Sequence, residues 1–319
     1  MRATAPNTVT LEVRAKDAVA EGVVSLTLAR PDGGRLPDWT PGSHIDLILP
    51  GGVTRQYSLC GDRWDAHTYR VAVLREPAGR GGSAQVHDRL AVGDAVGVGG
   101  PRNNFPQAPA GTYLFIAGGI GITPVLPMIQ QAELLGIEWT LLYGGRTRAS
   151  MAFADDLARA HGERVHLVPE DEYGLLDLAS WLGRAVPDRK VYCCGPAPLL
   201  AAVEQHCAHW PAHSLRTERF TASELTAPVH QTPFEVELRR TGRTVTVTPD
   251  ISVLQALRGA GVDLLSSCEQ GTCGTCLTTV LDGVPDHRDS VLADHQRAAN
   301  DCMFPCVSRS RGDRLVLDL

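Results

Sequence analysis

The stretch Ser267-Cys268-Glu269-Gln270-Gly271-Thr272-Cys273-Gly274-Thr275-Cys276 decides how this chain is read. Three cysteines stand in a C-x4-C-x2-C spacing, and Cys306 follows Cys276 after 29 intervening residues. This is the plant-type spacing for a [2Fe–2S] cluster, in which four thiolates hold two irons. Three ligands on one short loop wrap a cluster only where the backbone turns sharply, and Gly271 and Gly274 reach positive φ without steric cost. Small Thr272 and Thr275 let backbone N–H groups approach the bridging sulfides, where hydrogen bonds help set the potential. A cluster of this kind carries one electron and makes no bonds, so the residues upstream must account for the electron's source.

Other uses of the cysteines fit less well. A structural zinc site pairs two short hooks of ligands, whereas here one hook has three cysteines and the fourth stands alone. Nine cysteines in 319 residues are sparse for a disulfide-stapled domain. Cys302 competes with Cys306 as fourth ligand, and the spacing favours Cys306. Cys60, Cys193 and Cys207 read as small buried hydrophobes.

The chain is 43% hydrophobic and 21% charged with a net charge of -6, the composition of a globular protein. Its length suits two or three domains. No run approaches the ~20 apolar residues of a membrane span. The N-terminal residues lack a signal-peptide core, and no basic tract offers a nucleic-acid site. With thiolates that must stay reduced, these features predict a cytoplasmic protein.

Residues 1–106 read as a β-domain. Thr8 to Val13 and Val24 to Leu28 alternate with the period of half-buried strands, and Gly and Pro turns recur, which predicts a small barrel. Within it, Arg55-Gln56-Tyr57-Ser58-Leu59 sets a guanidinium, a phenol and a hydroxyl on an extended segment. Alternation puts Arg55, Tyr57 and Leu59 on one face and Gln56 and Ser58 on the other. Arg can clamp a phosphate and Tyr can cover a flat heterocycle. The glycine loop Gly79-Arg80-Gly81-Gly82-Ser83 precedes a short helix predicted over Ala84 to Leu90, a ready anion site.

Residues 107–221 alternate apolar strands with helical patterns, which predicts a doubly wound parallel sheet. Tyr113 to Ala117 runs into Gly118-Gly119-Ile120-Gly121-Ile122-Thr123-Pro124 and a helix through Leu135. Strand, glycine loop, helix is the dinucleotide-binding layout, although the spacing is not G-x-G-x-x-G. Trp139 to Gly145, Val165 to Val168, and Lys190 to Cys194 supply further strands, the last ending in Gly195-Pro196. Residues 222–233 read as a linker that allows movement. From Phe234 strands resume, with a helix capped by Ser252, the cysteine loop, and strands at Leu277 to Leu281 and Arg314 to Leu317.

Taken in order, Arg-x-Tyr-Ser-Leu, Gly-Arg-Gly-Gly-Ser, Gly-Gly-Ile-Gly-Ile-Thr-Pro, Cys-Gly-Pro and the C-terminal cysteines resemble the phthalate dioxygenase reductase family. Its relatives include vanillate O-demethylase reductases and the reductase tails of some self-sufficient cytochromes P450. Asp286-His287-Arg288-Asp289 and Cys306-Val307-Ser308-Arg309 fit as well, so the resemblance covers essentially the whole chain. It implies three domains: a ferredoxin-reductase-like flavin-binding β-barrel (1–106), a doubly wound NAD domain (107–221) and, after the linker, a β-grasp plant-type ferredoxin (234–319). It implies that Arg55, Gln56, Tyr57 and Ser58 hold flavin and phosphate, that Ala72, Val73 and Leu74 line the ring, and that Gly81, Gly82 and Ser83 bind the FMN phosphate. Gly119, Thr123, Cys194, Gly195 and Pro196 would meet the nicotinamide nucleotide, and Phe220 would shield the flavin. Cys268, Cys273, Cys276 and Cys306 would ligate the irons.

The implied activity is electron transfer from NADH through FMN and the [2Fe–2S] cluster to a terminal oxygenase, either a Rieske oxygenase or a cytochrome P450. The implied protein is a monomer, and no acid, base or nucleophile is required; Ser58 and Cys194 serve as environment for flavin and nicotinamide. Arg146 and Arg148 follow the second parallel strand, where cations accommodate the 2′-phosphate of NADP. That placement leans towards NADPH, whereas the resemblance favours NADH, which is the expectation adopted. The rival class is a non-catalytic flavin/iron–sulfur redox sensor or carrier, which requires a dead nicotinamide site.

Overall fold

In the structure, a computed structural model, residues 8–77, 79–220, 227–292 and 294–319 are described. They divide into two units, Asn7–Arg219 and Phe220–Leu319. Among the described residues no helix is long and apolar enough to cross a membrane.

The alternating runs of the first unit form β1 (Val9–Ala20), β2 (Val23–Ala29), β3 (Ser43–Leu49), β4 (Val53–Ser58), β5 (Thr68–Leu74) and β6 (Ala95–Asn103). All pair antiparallel, in the order β4-β3-β6-β1-β2-β5. The two edges then meet. Leu59, just past β4, bridges Val71 of β5, and the Cys60 amide donates to the Arg70 carbonyl at 2.8 Å. Closure leaves no long free edge to pair with another chain. Leu11, Val13, Leu26, Leu28, Ile45, Leu47 and Val71 fill the barrel. The helix α1 (Gly82–Asp88) begins two residues earlier than its sequence pattern suggests and packs on this core through Val86. Lys16 Nζ donates to the Val86, His87 and Leu90 carbonyls at 2.9, 2.7 and 2.7 Å. A cation there satisfies carbonyls that the helix end leaves unpaired.

Next come β7 (Thr112–Gly118), α2 (Val125–Leu134), β8 (Glu138–Gly145), α3 (Ala154–His161), β9 (Val165–Pro169), the short α4 (Glu170–Tyr173) and α5 (Leu178–Leu182), β10 (Arg189–Cys194), α6 (Ala197–His206) and β11 (Leu215–Glu218). The strands are all parallel, ordered β11-β10-β7-β8-β9. Tyr113 and Phe115 of β7 pack into one apolar cluster and Leu114 and Ile116 into another, so the strand is covered on both faces. That explains its unbroken apolar run.

The residues near 106, which mark a shift in composition, lie inside this unit. The Tyr192 hydroxyl donates to the Pro106 carbonyl at 3.1 Å and accepts from the Ala108 amide at 2.6 Å. Val23, Cys60 and Ala72 of the barrel share one apolar cluster with Phe115, Ile122 and Met128. Gln130 Nε2 donates to Asp62 Oδ1 at 2.9 Å, Arg63 Nη1 to Gln131 Oε1 at 3.2 Å, and Arg70 lies 5.0 Å over the Phe153 ring. Barrel and sheet therefore hold a fixed relation.

In the second unit, β12 (Phe234–Leu238), β13 (Arg243–Val247), α7 (Val253–Gly259), β14 (Thr278–Asp282), β15 (Pro285–Asp286), α8 (Asp294–Ala299), β16 (Cys302–Met303), β17 (Arg309–Ser310) and β18 (Arg314–Leu317) follow in turn. The main sheet is mixed, ordered β13-β12-β18-β14-β16, and β15 pairs β17 separately. Ser252 caps α7 reciprocally: its Oγ accepts from the Gln255 amide at 3.1 Å, and Gln255 Oε1 accepts from the Ser252 amide at 2.8 Å. Such a cap contributes about 1 kcal/mol. Val253, Ala256 and Leu257 then pack on Phe234, Val236, Leu315 and Leu317. Of the stretch expected to be a linker, residues 221–226 lie outside the described residues. Its later half is fastened to this unit: the Val229 amide donates to Asp286 Oδ2 at 3.2 Å, and His230 meets the Phe234 ring edge-on at 6.4 Å.

Candidate functional site

The cysteine loop begins three residues past Leu264, where the chain has left α7. Its three thiols and that of Cys306 come together as two pairs. The Cys273 thiol hydrogen-bonds Cys268, holding Cys268 well below the ordinary thiol range and pushing Cys273 above it. The Cys306 thiol does the same for Cys276 and is itself raised. Two thiols on each of two irons is the arrangement of a [2Fe–2S] site, so this donor set fits that cluster. Cys302 stands outside both pairs, on β16, with its pKa pushed up to about 11 by burial and Asp301.

The loop around the thiols is held by backbone geometry. Gly271 has φ +69°, and a Cβ there would lie 2.6 Å from Val307 Cγ2 and 3.1 Å from the Asp289 Cα. Its carbonyl accepts from the Ser290 amide at 2.9 Å. The Gln270 amide donates to Cys268 Sγ at 3.3 Å and the Thr275 amide to Cys273 Sγ at 3.4 Å. Leu254, Leu292, Phe304 and Val307 form an apolar shell with Cys276 and Cys306. One anchor was not foreseen from sequence: Arg258 of α7 pairs with Glu269 at 2.7 Å and hydrogen-bonds Ser266. An acid inside the loop and a base at the end of the preceding helix were the available signal.

On the barrel, Tyr57 and Leu59 face the apolar core while Gln56 turns the other way, donating to Asp46 Oδ1 at 2.9 Å beside Arg102. Ser58 is buried at 4% exposure. Arg55 donates to the Thr54 carbonyl at 2.8 Å and to the Arg80 carbonyl in the glycine loop at 2.6 Å. Burial, and then the like charge of Arg80, lower its pKa. Two guanidiniums at a glycine loop repel one another, and a bound phosphate would relieve both. Gly81 adopts φ +78° before α1, and Ser83 Oγ accepts from the Glu76 amide at 3.0 Å, leaving its proton to donate. Burial pushes the Tyr57 phenol up to about 12, so it stays neutral. On β5, Ala72 and Leu74 turn towards the cluster shared with the parallel sheet, whereas Val73 points into the barrel core. Strand alternation separates these three, so Val73 can address a ligand only through its backbone.

At the carboxyl ends of β7 and β10 the order of strands reverses, and ligands of open parallel sheets bind at such a place. The Gly119–Ile122 turn after β7 touches both β5 and β10. A Cβ on Gly121 would lie 2.5 Å from the Cys194 carbonyl carbon and 2.8 Å from the Gly195 amide nitrogen, so glycine alone lets the two loops abut. Thr123 is buried, and its hydroxyl donates to the Ile120 carbonyl at 3.0 Å, bracing the turn. Pro196 leads into α6.

The Cys194 thiol donates to Glu218 Oε2 at 3.8 Å. Burial, and then Glu218, push the thiol well up, and burial pushes the Glu218 carboxyl up to about 8. Glu218 escaped the sequence reading; an acid ending the strand beside Cys194 was the signal. Arg148 spends its guanidinium on Asp155 at 2.6 Å, while Arg146 is exposed. Phe220 is exposed and begins the second unit.

The chain is similar to known proteins along its whole length. Residues 236–311 match the 2Fe-2S iron-sulfur cluster binding domain family. Phenoxybenzoate dioxygenase subunit beta of Ectopseudomonas oleovorans is 44% identical over 313 residues, covering 98% of this chain and 97% of that one. A solved phthalate dioxygenase reductase, described as a modular structure for electron transfer from pyridine nucleotides to [2Fe-2S], is 37% identical with a TM-score of 0.72 and 98% of each chain covered. An intact type IV self-sufficient cytochrome P450 monooxygenase is 46% identical with a TM-score of 0.93. The match covers 98% of this chain and 41% of that P450.

Proposed function

The chain belongs to the phthalate dioxygenase reductase family of electron-transfer reductases, and on that premise we propose that it moves electrons from NADH, through FMN and a [2Fe–2S] cluster, to a terminal oxygenase. Bound flavin converts a two-electron hydride into single electrons, and the bound cluster carries them one at a time. The chain's own residues do the positioning. Arg55 and the Gly81-Gly82-Ser83 loop hold the flavin phosphate; Tyr57, Ser58, Ala72 and Leu74 meet the ring, with Gln56 fixed behind them by Asp46. Gly119, Cys194, Gly195 and Pro196 receive the nicotinamide nucleotide, with Gly121 holding the two loops together.

The observation that carries this proposal is the contact of the Gly119–Ile122 turn with both β5 and β10. The turn lies beside both β5, which we assign to the flavin ring, and the end of β10, which we assign to the nucleotide, and that closeness within one unit supports direct hydride transfer. It also favours a working reductase over a sensor with a dead nicotinamide site. NADH is the proposed donor: Asp155 occupies Arg148, which leaves Arg146 without that second cation to grip a 2′-phosphate. The acceptor is a Rieske oxygenase or a cytochrome P450, and the setting is the cytoplasm, where thiolate ligands stay reduced. The test is composition together with turnover. About two irons, two labile sulfides and one FMN per chain are expected, with NADH-driven reduction of a one-electron acceptor. Zinc without labile sulfide, or a protein with flavin and iron that ignores NADH, would refute it.

A further inference from the structure

We propose that Arg297 of α8 is a positioning residue for the cysteine loop and helps set the reduction potential of the cluster; the inference rests on the reading of Cys268, Cys273, Cys276 and Cys306 as ligands. Arg297 acts through a turn rather than on a thiol. Its half-buried guanidinium donates from Nε to the Leu292 carbonyl at 3.0 Å and from Nη2 to the Asp289 carbonyl at 2.6 Å. A planar fork of this kind fixes two carbonyls at once, which a flexible ammonium holds less rigidly. Within the turn, Asp289 Oδ2 accepts from the Val291 and Leu292 amides at 3.0 and 2.8 Å. Asp289 is 5% exposed, and its Oδ1 is buried with no hydrogen-bond partner among the described residues. A carboxylate placed that way needs a cation close by. Arg297, bonded to the carbonyl of the same residue, supplies one.

The turn bears directly on the cysteine loop. The Ser290 amide donates to the Gly271 carbonyl at 2.9 Å. A Cβ on Gly271 would lie 3.1 Å from the Asp289 Cα, so the two backbones abut with no side chain between them. On its other side, the Gly271 amide hydrogen-bonds Cys306 and favours its thiolate. One residue therefore carries both the contact with the turn and a donor to a ligand sulfur. Hydrogen bonds to the sulfurs help set the potential of such a cluster, and a donor favours the more negative, reduced state. Without the Arg297 fork the turn loosens, the Gly271 amide loses its aim at Cys306, and the potential falls.

The test uses the full chain loaded with its cluster. A potentiometric titration is followed by the electron paramagnetic resonance of the reduced cluster, and deuterium exchange of residues 268–276 is read by mass spectrometry. Arg297→Gln should favour the oxidised cluster about tenfold, a fall of about 59 mV for one electron. It should also speed exchange in that segment while leaving β12 and β18 unchanged. Arg311 is the charge control: it lines the same cavity as Arg297 and is exposed, and its backbone amide is bonded to the Val284 carbonyl. Arg311→Gln removes an equal charge without removing a bond to the turn, so it should move neither readout. An unchanged potential in Arg297→Gln, an equal shift in Arg311→Gln, or a shift without faster exchange overturns the proposal. Should Arg297→Gln take up no cluster, Arg297→Lys carries the same comparison with the same outcomes. A parent protein without iron and labile sulfide would refute the ligand reading and this proposal with it.

Discussion

Replacing Gly121 by Ala tests the nucleotide site where its geometry is tightest. The new methyl would stand 2.5 Å from the Cys194 carbonyl carbon and 2.8 Å from the Gly195 nitrogen. Ordinary carbon contacts fall near ~3.5 Å, so the shortfall is at least about 1 Å, and the Cys194 carbonyl oxygen lies nearer still. Both offending groups are backbone atoms at the end of a central strand, so no side chain can swing away. Relief requires the Gly119–Ile122 turn and the Cys194–Pro196 loop to part. Overpacking of this kind costs about 1–3 kcal/mol of stability. A ~1 Å displacement of positioning groups can cost about 10²-fold in rate. Gly136→Ala, after α2 and outside the nucleotide loops, is the control: its φ of +63° makes a side chain strained, at about 1–2 kcal/mol, but its Cβ meets open space. The assay is the rate of flavin reduction by NADH under single-turnover conditions, with flavin and cluster absorption confirming that both variants are loaded. Gly121→Ala should be slowed about 10²-fold, and Gly136→Ala far less. Equal rates for Gly121→Ala and the parent would refute the placement of the nicotinamide between these loops.

Three further outcomes follow from the sites. Cys306→Ser should lose iron and labile sulfide while Cys302→Ser keeps both, measured by iron analysis and visible absorption, because Cys306 is paired with Cys276 and Cys302 is paired with none of the four. Arg55→Gln should weaken FMN binding about 10- to 100-fold, the worth of a charge-assisted hydrogen bond, while leaving the cluster intact; unchanged flavin retention on dialysis would contradict it. The Glu218 carboxyl is pushed up to about 8 by burial, so the folded protein keeps a proton that the unfolded chain releases in the ordinary carboxylate range. Stability should therefore fall as pH rises from that range through about 8 and level off above. Glu218→Gln should remove about one proton's worth of this slope, read from urea unfolding of the first unit across that window. An unchanged slope would show that Glu218 is ionised in the folded state.

Strands and their faces were largely legible, because burial writes itself as periodicity. Phe234–Leu238 and Arg314–Leu317 end where their patterns end. The apolar run at Tyr113 to Ala117 correctly signalled a strand covered on two sides. The cysteine spacing carried its chemistry because all but one ligand lie on one loop. What escaped was built by long-range packing. The closeness of Gly121 to Cys194 joins positions far apart in the chain, and nothing local to either announces it. Glu218 acquires its raised pKa from burial beside Cys194. The shared core of barrel and sheet was hidden for the same reason: Ala72 and Cys60 look like ordinary barrel residues until Met128 and Phe115 pack against them. Val73 was grouped with Ala72 and Leu74 although strand alternation turns it inward.

The central claim is that one chain relays electrons from nicotinamide to cluster, and anaerobic stopped-flow absorbance after mixing with NADH, and separately with NADPH, tests it most directly. Loss of flavin absorption followed by loss of the broad iron–sulfur bands, faster with NADH, is the predicted result. Flavin and cluster that stay oxidised with both nucleotides, in a protein carrying its full complement of each, would contradict it.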